Sequence, residues 1–253
     1  MSQPARRNKA IRGLEDIPDH ITARVVARCG TAHPFAALDP RRTALVAVDL
    51  QNAFLDAAAG YAVCATARDI VPDVNRLAAA VRAGGGGVFW IMDTFDAHAA
   101  VPWSALDAML TPAARARREA AMAEGSRSHQ LWPGLDVRPE DEIVRKFRFS
   151  AFLPGACELP DRLRARGFDT VLIAGTATNV CCESSARDAM MANFRTVMVS
   201  DANAALTVAE HRASLLAFYA MFGDVMDTDF VVQRLLGGAG APADVDAVVD
   251  RAR

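Results

Sequence analysis

Residues 170–181 read Thr-Val-Leu-Ile-Ala-Gly-Thr-Ala-Thr-Asn-Val-Cys, an apolar run that leads through a short turn to a cysteine. The run 170–174 predicts a strand buried on both faces, because it is continuously apolar and does not alternate with polar residues. After the turn at 175–180, residues 181–193 predict a helix whose small side chains allow close packing on a sheet. A strand followed by such a helix is the repeating unit of a parallel α/β sheet.

The same alternation of strands and helices continues along the chain. The other predicted strands lie at 43–50, 88–92, 142–145, 196–200 and 225–226, and the other predicted helices at 67–82, 112–124, 157–166 and 208–220. Right-handed crossovers place such helices on both faces, which predicts a three-layer α/β/α Rossmann-like fold with a central, mostly parallel sheet of about six strands. We expect residues 41–236 to form this domain, residues 1–40 an N-terminal arm, and residues 237–253 a flexible C-terminal tail.

The charge balance and the apolar runs argue against several classes of partner. The chain has 28 Lys and Arg against 30 Asp and Glu and lacks a basic tract interleaved with aromatic residues, so nucleic acid is not expected as a partner. The basic tract 115–118 is typical of a solvated helix face. No apolar run approaches the roughly 20 residues that span a bilayer, and no apolar segment follows the N-terminal charges, so we expect no membrane partner and a cytoplasmic location. Five cysteines, an odd number, indicate reduced thiols.

Three predicted strands are followed by side chains that can do chemistry together: Asp49, Lys146 and Cys181. In an open parallel sheet such groups gather beyond the carboxyl ends of the strands. We expect a helix N-terminus and Lys146 to lower the pKa of the Cys181 thiol, and Asp49 to carry protons. Backbone N–H groups of the turn and of Cys181 could hold a substrate oxyanion. A cysteine is often only a small buried side chain and a strand-end aspartate often a cap, but the coincidence of the three favours a catalytic site.

Three segments also resemble a known family. Residues 48–54 read Val-Asp-Leu-Gln-Asn-Ala-Phe, residues 146–152 read Lys-Phe-Arg-Phe-Ser-Ala-Phe, and residues 175–184 read Gly-Thr-Ala-Thr-Asn-Val-Cys-Cys-Glu-Ser. Across residues 40–235 the chain resembles the isochorismatase-like cysteine hydrolase family. The resemblance implies a catalytic triad of Asp49, Lys146 and Cys181, and a cis peptide bond before Ala177. It also implies an oxyanion hole formed by the N–H groups of Ala177 and Cys181.

Within that family, the chain looks most like the ureidoacrylate amidohydrolase and N-carbamoylsarcosine amidase branch. Members that act on isochorismate generally lack the nucleophilic cysteine. Nicotinamidases carry a metal-binding Asp-x-His motif, whereas Phe95 stands here where its histidine belongs, and Asp96-Ala97-His98 is displaced by three residues. The resemblance therefore implies no metal and no cofactor. A dinucleotide-dependent oxidoreductase is disfavoured, because no G-x-G-x-x-G turn follows the first strand.

The implied function is hydrolysis of a C–N amide or ureido bond of a small molecule through a Cys thioester-type intermediate. The resemblance also implies a homo-oligomer, either a dimer or a tetramer. Two alternatives stay open: a metal-assisted amidase of the nicotinamidase type, and a catalytically idle member that acts as a binding module.

Residues close to the triad in sequence are the candidates for contact with the substrate. The connection 94–141 is long enough to be typical of a lid or binding segment. Arg148 could pair with a substrate carboxylate, or could point to solvent or to a neighbouring subunit. The other candidates for the pocket wall are Asn52, Phe54, Trp90, Phe149 and Ser150.

Overall fold

The apolar runs of the sequence form one parallel sheet in the computed structural model, which describes residues 16–58, 60–97 and 102–237. Within these residues six strands are hydrogen-bonded in the order β3-β2-β1-β4-β5-β6, and every pair is parallel. The predicted α/β fold class is thus confirmed. The strands are β1 (Thr43–Val48), β2 (Gly87–Asp93), β3 (Glu142–Lys146), β4 (Thr170–Thr176), β5 (Arg195–Ala204) and β6 (Asp224–Met226).

The strand order reverses between β1 and β4, the two central strands. The chain proceeds outward from β1 through β2 to β3, then returns to the middle at β4 and proceeds to β6 on the other side. Crevices at such a reversal, outside the carboxyl ends of the strands, are where open α/β sheets bind ligands. Both central strands are buried along their whole length. A ligand site is therefore expected next to the residues that follow β1 and β4.

Helices cover both faces of the sheet, which confirms the three-layer architecture. One apolar core joins the sheet to α1, α6, α7 and α8, and a second core on the opposite face joins it to α3 and α9. The helices are α1 (Asp19–Cys29), α2 (Asn52–Leu55), α3 (Val71–Ala83), α4 (Ser104–Asp107), α5 (Pro112–Met122), α6 (Leu159–Ala165), α7 (Glu183–Met191), α8 (Val208–Met221) and α9 (Thr228–Leu236). None of the helices in the described residues has the length and apolar character that crossing a membrane requires.

Two parts of the fold differ from the sequence-based expectation. The helix predicted at 181–193 begins earlier, as a π-helical turn at Thr178–Cys182 that continues into α7. Helices α1 and α9 and the short helices α2 and α4 were not predicted. Helix α1 belongs to the expected N-terminal arm, whose described residues pack on the domain: the hydroxyl of Tyr219 donates to the carbonyl of Ala32 at 2.7 Å. Of the expected C-terminal tail, only Gly237 lies within the described residues.

Candidate active site

Asp49, Lys146 and Cys181 meet at the carboxyl edge of the sheet, where the sequence predicted that they would converge. The ammonium nitrogen of Lys146 lies 2.8 Å from Asp49 Oδ2 and 3.6 Å from Cys181 Sγ. The side chains of Asp49 and Lys146 are completely buried, and Cys181 is 6% exposed. The arrangement places a carboxylate, an ammonium and a thiol in mutual reach, the geometry that nucleophilic catalysis by cysteine needs.

Each of the three side chains is positioned by local backbone features. Asp49 directly follows β1 and adopts a φ of +54°, a conformation that aspartate tolerates better than most residues. Lys146 is the last residue of β3, and Cys181 lies in the π-helical turn after β4. The approach of β4 to β1 depends on Gly175, because a Cβ there would lie 2.1 Å from the carbonyl oxygen of Val48. The turn that carries Cys181 can therefore begin directly beside the residue that precedes Asp49.

A second carboxylate, that of Asp93, belongs to the same cluster. Its Oδ1 lies 3.6 Å from the Lys146 ammonium, and its Oδ2 lies 3.9 Å from Nη2 of Arg118. Asp93 was not predicted as a site residue. The signal was present in the sequence, since an aspartate ends the β2 run in the same way that Asp49 follows the β1 run.

Burial and the neighbouring charges shift the pKa values of the triad. Burial raises the pKa of Asp49 to about 6, opposed by Lys146 and reinforced by the charge of Asp93. Burial by itself would lower the pKa of Lys146, but the two carboxylates outweigh it and raise this pKa above its ordinary value. Burial, followed by the charge of Asp49, raises the pKa of the Cys181 thiol well above its ordinary range against the effect of Lys146. The prediction of a lowered thiol pKa was wrong, because it weighed the cation but not the burial or the carboxylate.

The turn before Cys181 is anchored to α8 by two hydrogen bonds. Thr178 Oγ1 shares a hydrogen bond of 2.8 Å with Nδ1 of His211, and the hydroxyl of Ser214 donates to the carbonyl of Thr178 at 3.2 Å. The peptide bond between Thr176 and Ala177 is cis, as the family resemblance implies. His211 was not predicted as a site residue. Nothing in its local sequence marks it, because it contacts the turn only through the tertiary fold.

Gln51 supports the cluster from the other side. Its buried amide nitrogen donates to the carbonyls of Asp93 and His129 at 3.1 and 2.8 Å, and its amide oxygen accepts from the Asp93 N–H at 2.8 Å. Asn52, one of the predicted substrate contacts, donates through its side chain to the carbonyl of Arg127 at 2.9 Å. These two side chains tie the segment around residues 127–130 to the ends of β1 and β2. A contact between Asn52 and substrate stays a prediction.

The other predicted pocket residues fall into three environments. Trp90 is completely buried in the core shared with α3, where its indole N–H donates to Asp141 at 2.8 Å, so the prediction that it lines the pocket was wrong. Phe54 is half-buried against two apolar clusters. Phe149 is half-buried and packs edge-on against Trp103, with ring centroids 4.6 Å apart. Ser150 is buried, and its hydroxyl accepts a hydrogen bond from the backbone of Phe152 at 3.0 Å.

A cavity of about 190 Å³ opens next to the buried charges. It begins one residue beyond Asp93 and Lys146, because Thr94 and Phe147 both line it. Arg118 lines it as well, although the tract 115–118 was expected to be a solvated helix face. That expectation was wrong for Arg118, which is 7% exposed. The principal lining residues are Thr94, Phe95, Trp103, Arg118, Phe147 and Arg148.

In the ranges 16–58, 60–97 and 102–237, no three His, Cys, Asp or Glu side chains are grouped as metal ligands. Phe95, which stands in place of the metal-binding histidine of nicotinamidases, forms part of the cavity wall. His98, the histidine of the displaced Asp-x-His spacing, lies outside the described residues.

Comparison with known proteins gives concordant matches. The model of the isochorismatase domain matches residues 43–230. The chain is 34% identical over 226 residues to the ureidoacrylate amidohydrolase RutB of Methylobacterium radiotolerans, covering 83% of this chain and 86% of the relative. It is 34% identical over 200 residues to RutB of Pseudomonas savastanoi pv. phaseolicola, covering 74% and 79% of the two chains. Its structure is similar to a cysteine hydrolase from Pseudomonas syringae pv. phaseolicola, with a TM-score of 0.72, 28% identity, and coverage of 80% and 96%.

Proposed function

The chain belongs to the isochorismatase family, and from this premise we propose that it hydrolyses a small ureido or amide compound with Cys181 as nucleophile and Asp49 as the proton carrier. Family membership and the similarity to ureidoacrylate amidohydrolases make it a hydrolase of carbon–nitrogen bonds other than peptide bonds. One observation carries the assignment of residues. The Lys146 ammonium touches both other members of the triad, at 2.8 Å from Asp49 and 3.6 Å from Cys181.

In the first step the Cys181 sulfur attacks the substrate carbonyl carbon while Asp49 takes the thiol proton. A raised thiol pKa means that the resting site holds the thiol, so proton removal and attack occur together. A carboxylate with a pKa of about 6 suits this role, because it is mostly ionised at neutral pH and still basic enough to accept the proton. The carbonyl oxygen takes up the negative charge, which the N–H groups of Ala177 and Cys181 are proposed to stabilise.

In the second step the tetrahedral intermediate expels its nitrogen. Asp49 returns the proton to the leaving nitrogen, the C–N bond breaks, and the acyl or carbamoyl group stays on Cys181 as a thioester or thiocarbamate. Water then attacks this group with Asp49 as the base, which releases the acid or carbamate and restores the thiol. Lys146 remains protonated throughout, since its pKa lies above the ordinary value, and its charge stabilises whichever partner carries the negative charge.

Substitution of the two adjacent cysteines tests the assignment, because Cys182 is also buried and provides a matched control. Ammonia release would be measured with a panel of ureido acids, carbamoyl amino acids and simple amides. We expect Cys181→Ala to lower kcat by at least about 10³-fold, as loss of a nucleophile does elsewhere, and Cys182→Ala to change it by less than about tenfold. Activity retained in Cys181→Ala would reject the mechanism.

Two further measurements separate the alternatives. Rapid acid quenching of Cys182→Ala during turnover, followed by mass spectrometry, should find the acyl or carbamoyl mass on the peptide that contains Cys181. Dialysis against a chelator distinguishes a metal-assisted amidase: activity that disappears and returns with zinc or iron contradicts the metal-independent thiol mechanism. Absence of turnover with every member of the panel would favour the binding-module alternative.

A further inference from the structure

Helix α8 presents two polar side chains to the turn that carries the nucleophile. Four of its buried residues have the i, i+3, i+4, i+7 spacing of one helix face, namely His211, Ser214, Leu215 and Phe218. Leu215 and Phe218 belong to an apolar core, whereas His211 and Ser214 both hydrogen-bond to Thr178. The buried face of α8 is therefore polar at the end that meets the turn.

Thr178 is the residue through which the turn is held. Its Oγ1 bonds to Nδ1 of His211 at 2.8 Å, and its carbonyl accepts from the hydroxyl of Ser214 at 3.2 Å and from the backbone N–H of Glu183. The bond from Glu183 spans Cys181, since it joins the third residue before the sulfur to the second residue after it. Thr178 is completely buried, so bulk water does not compete for these bonds. Any shift of Thr178 would carry Cys181 with it.

The bond to Thr178 gives the imidazole of His211 its orientation. The residue is 4% exposed, and burial lowers its pKa from 6.5 to about 4, so the ring is neutral at pH 7. Its other nitrogen, Nε2, is buried and meets no hydrogen-bonding group of residues 16–58, 60–97 and 102–237. Burial of such a nitrogen costs free energy that an apolar side chain of similar size would not cost. What the histidine contributes here is therefore the hydrogen bond to Thr178.

The position of the turn matters because two groups of the proposed mechanism depend on it. The sulfur of Cys181 has to stay near the Lys146 ammonium, which lies 3.6 Å away at the end of another strand. The N–H groups of Ala177 and Cys181, which are proposed to stabilise the oxyanion, belong to the same turn. A misplacement of about 1 Å at a reacting centre can cost about 100-fold in rate.

We propose that His211 and Ser214 are positioning residues for the nucleophile, which hold Thr178 so that the sulfur and the oxyanion donors keep their places during the reaction. The inference rests on the proposed function and adds two residues outside the triad that set kcat. Neither residue belongs to the triad, and their hydrogen bonds reach Cys181 only through Thr178. Loss of their bonds should therefore weaken interactions of the transition state and leave substrate binding in place.

The test measures kcat and KM for the best substrate of the panel in pairs of variants. Thr178→Val and His211→Leu remove the shared bond, and we expect kcat to fall about 10–100-fold in each with KM within about threefold. Thr178→Ser keeps the hydroxyl, and His211→Asn offers an amide at the position of Nδ1, so both should stay within about fivefold of the wild type. Tyr219→Phe is the matched control, because its buried hydroxyl bonds α8 to Ala32 and not to the turn. It should keep kcat within about twofold.

The double variant Thr178→Val/His211→Leu separates positioning from a general loss of stability. Both substitutions remove the same bond, so the double variant should lose no more kcat than the more impaired single variant. Losses that multiply, a change confined to KM, or an equal fall of kcat in Tyr219→Phe overturns the proposal. Should His211→Leu fail to fold, Ser214→Ala and Thr178→Val, which each remove one hydroxyl, decide the same question.

Hydrogen exchange decides the proposal without any substrate. Mass spectrometry of the peptide 175–184 would follow its amide exchange in the native wild type, Thr178→Val, His211→Leu and Tyr219→Phe. We expect exchange in this peptide to become at least about tenfold faster in the first two variants and to stay unchanged in Tyr219→Phe. Unchanged exchange in Thr178→Val and His211→Leu overturns the proposal even if Cys181 proves to be the nucleophile. Faster exchange supports it even if the panel contains no substrate.

Discussion

The charge of Asp93 should set the pH at which Asp49 becomes a base. Asp93 contacts the same Lys146 ammonium as Asp49, and its negative charge is one of the causes that raise the pKa of Asp49 to about 6. Replacing Asp93 by Asn removes this charge and keeps the shape of the side chain. The pKa of Asp49 should fall, and its basic form should persist to lower pH.

The size of the shift follows from the contacts. Because Lys146 touches the two carboxylates at 2.8 and 3.6 Å, their oxygens are no more than about 6 Å apart, where two unit charges interact by about 3 kcal/mol at an effective dielectric constant near 20. About 1.4 kcal/mol corresponds to one pKa unit, and the intervening ammonium offsets part of the repulsion, so we expect a downward shift of about one unit.

The assay is the pH dependence of kcat/KM between pH 4.5 and 8 for the best substrate of the panel. At pH 5 the wild type should retain about a tenth of its plateau value, and Asp93→Asn about half, as titration of a base with pKa values of about 6 and about 5 requires. Asp161→Asn removes the same charge at an exposed position outside the cavity lining and should leave the acid limb in place. An acid limb that does not move in Asp93→Asn, or that moves to higher pH, refutes the electrostatic account of Asp49.

Two further predictions concern buried charges and the free energy of unfolding. Lys146→Met leaves the buried Asp49 carboxylate without its ammonium, so the free energy of unfolding at pH 7.5 should fall by about 3–5 kcal/mol. Because the pKa of Asp49 then rises further, part of this loss should be recovered at pH 5. Urea titrations at the two pH values measure both effects, and no loss at pH 7.5 would contradict the prediction. Burial lowers the pKa of His211 from 6.5 to about 4, so the unfolded chain binds a proton that the folded chain does not, and stability from this group is lost as pH falls. Between pH 7 and 5 the free energy of unfolding of the wild type should fall by about 2 kcal/mol more than that of His211→Gln. An equal pH dependence of stability in the two proteins would contradict this role of His211.

The strand pattern was sufficient to predict the sheet and the convergence of the triad. Continuous apolar runs mark strands buried on both faces, and the carboxyl ends of parallel strands meet at one edge, so Asp49, Lys146 and Cys181 could be brought together without coordinates. Because these strands are apolar on both faces, the orientation of Trp90 could not be predicted from the sequence. When both faces of a strand are apolar, the sequence does not tell which side chains face the helices and which lie near the pocket. In β2, Phe89 and Ile91 face one layer and Trp90 the other.

The sequence contains the spacing that predicts a buried face of α5, but the arginines of this helix favoured the interpretation that it is exposed to solvent. Arg118, Ala121 and Met122 are its buried residues and have the i, i+3, i+4 spacing of one helix face. A tract of arginines in an alanine-rich helix suggests solvent exposure, and only the packing of the long connection 94–141 against the sheet reveals that Arg118 is buried in the cavity wall. The raised pKa of Cys181 was unpredictable for a related reason, because it depends on burial and on a carboxylate that follows another strand.

The charges of the cluster explain why the thiol need not be ionised in the resting enzyme. Asp49 and Asp93 already place two carboxylates around one ammonium, and a thiolate added to them would be a third anion beside the same cation. Transfer of the Cys181 proton to Asp49 avoids this, because it moves the negative charge from oxygen to sulfur and leaves the total unchanged. Lys146 contacts both atoms between which the charge moves, so it stabilises the site before and after the transfer. The nucleophile is therefore expected to form only as the substrate carbonyl accepts the electron pair, and the raised thiol pKa is compatible with catalysis as long as Asp49 is free to take the proton.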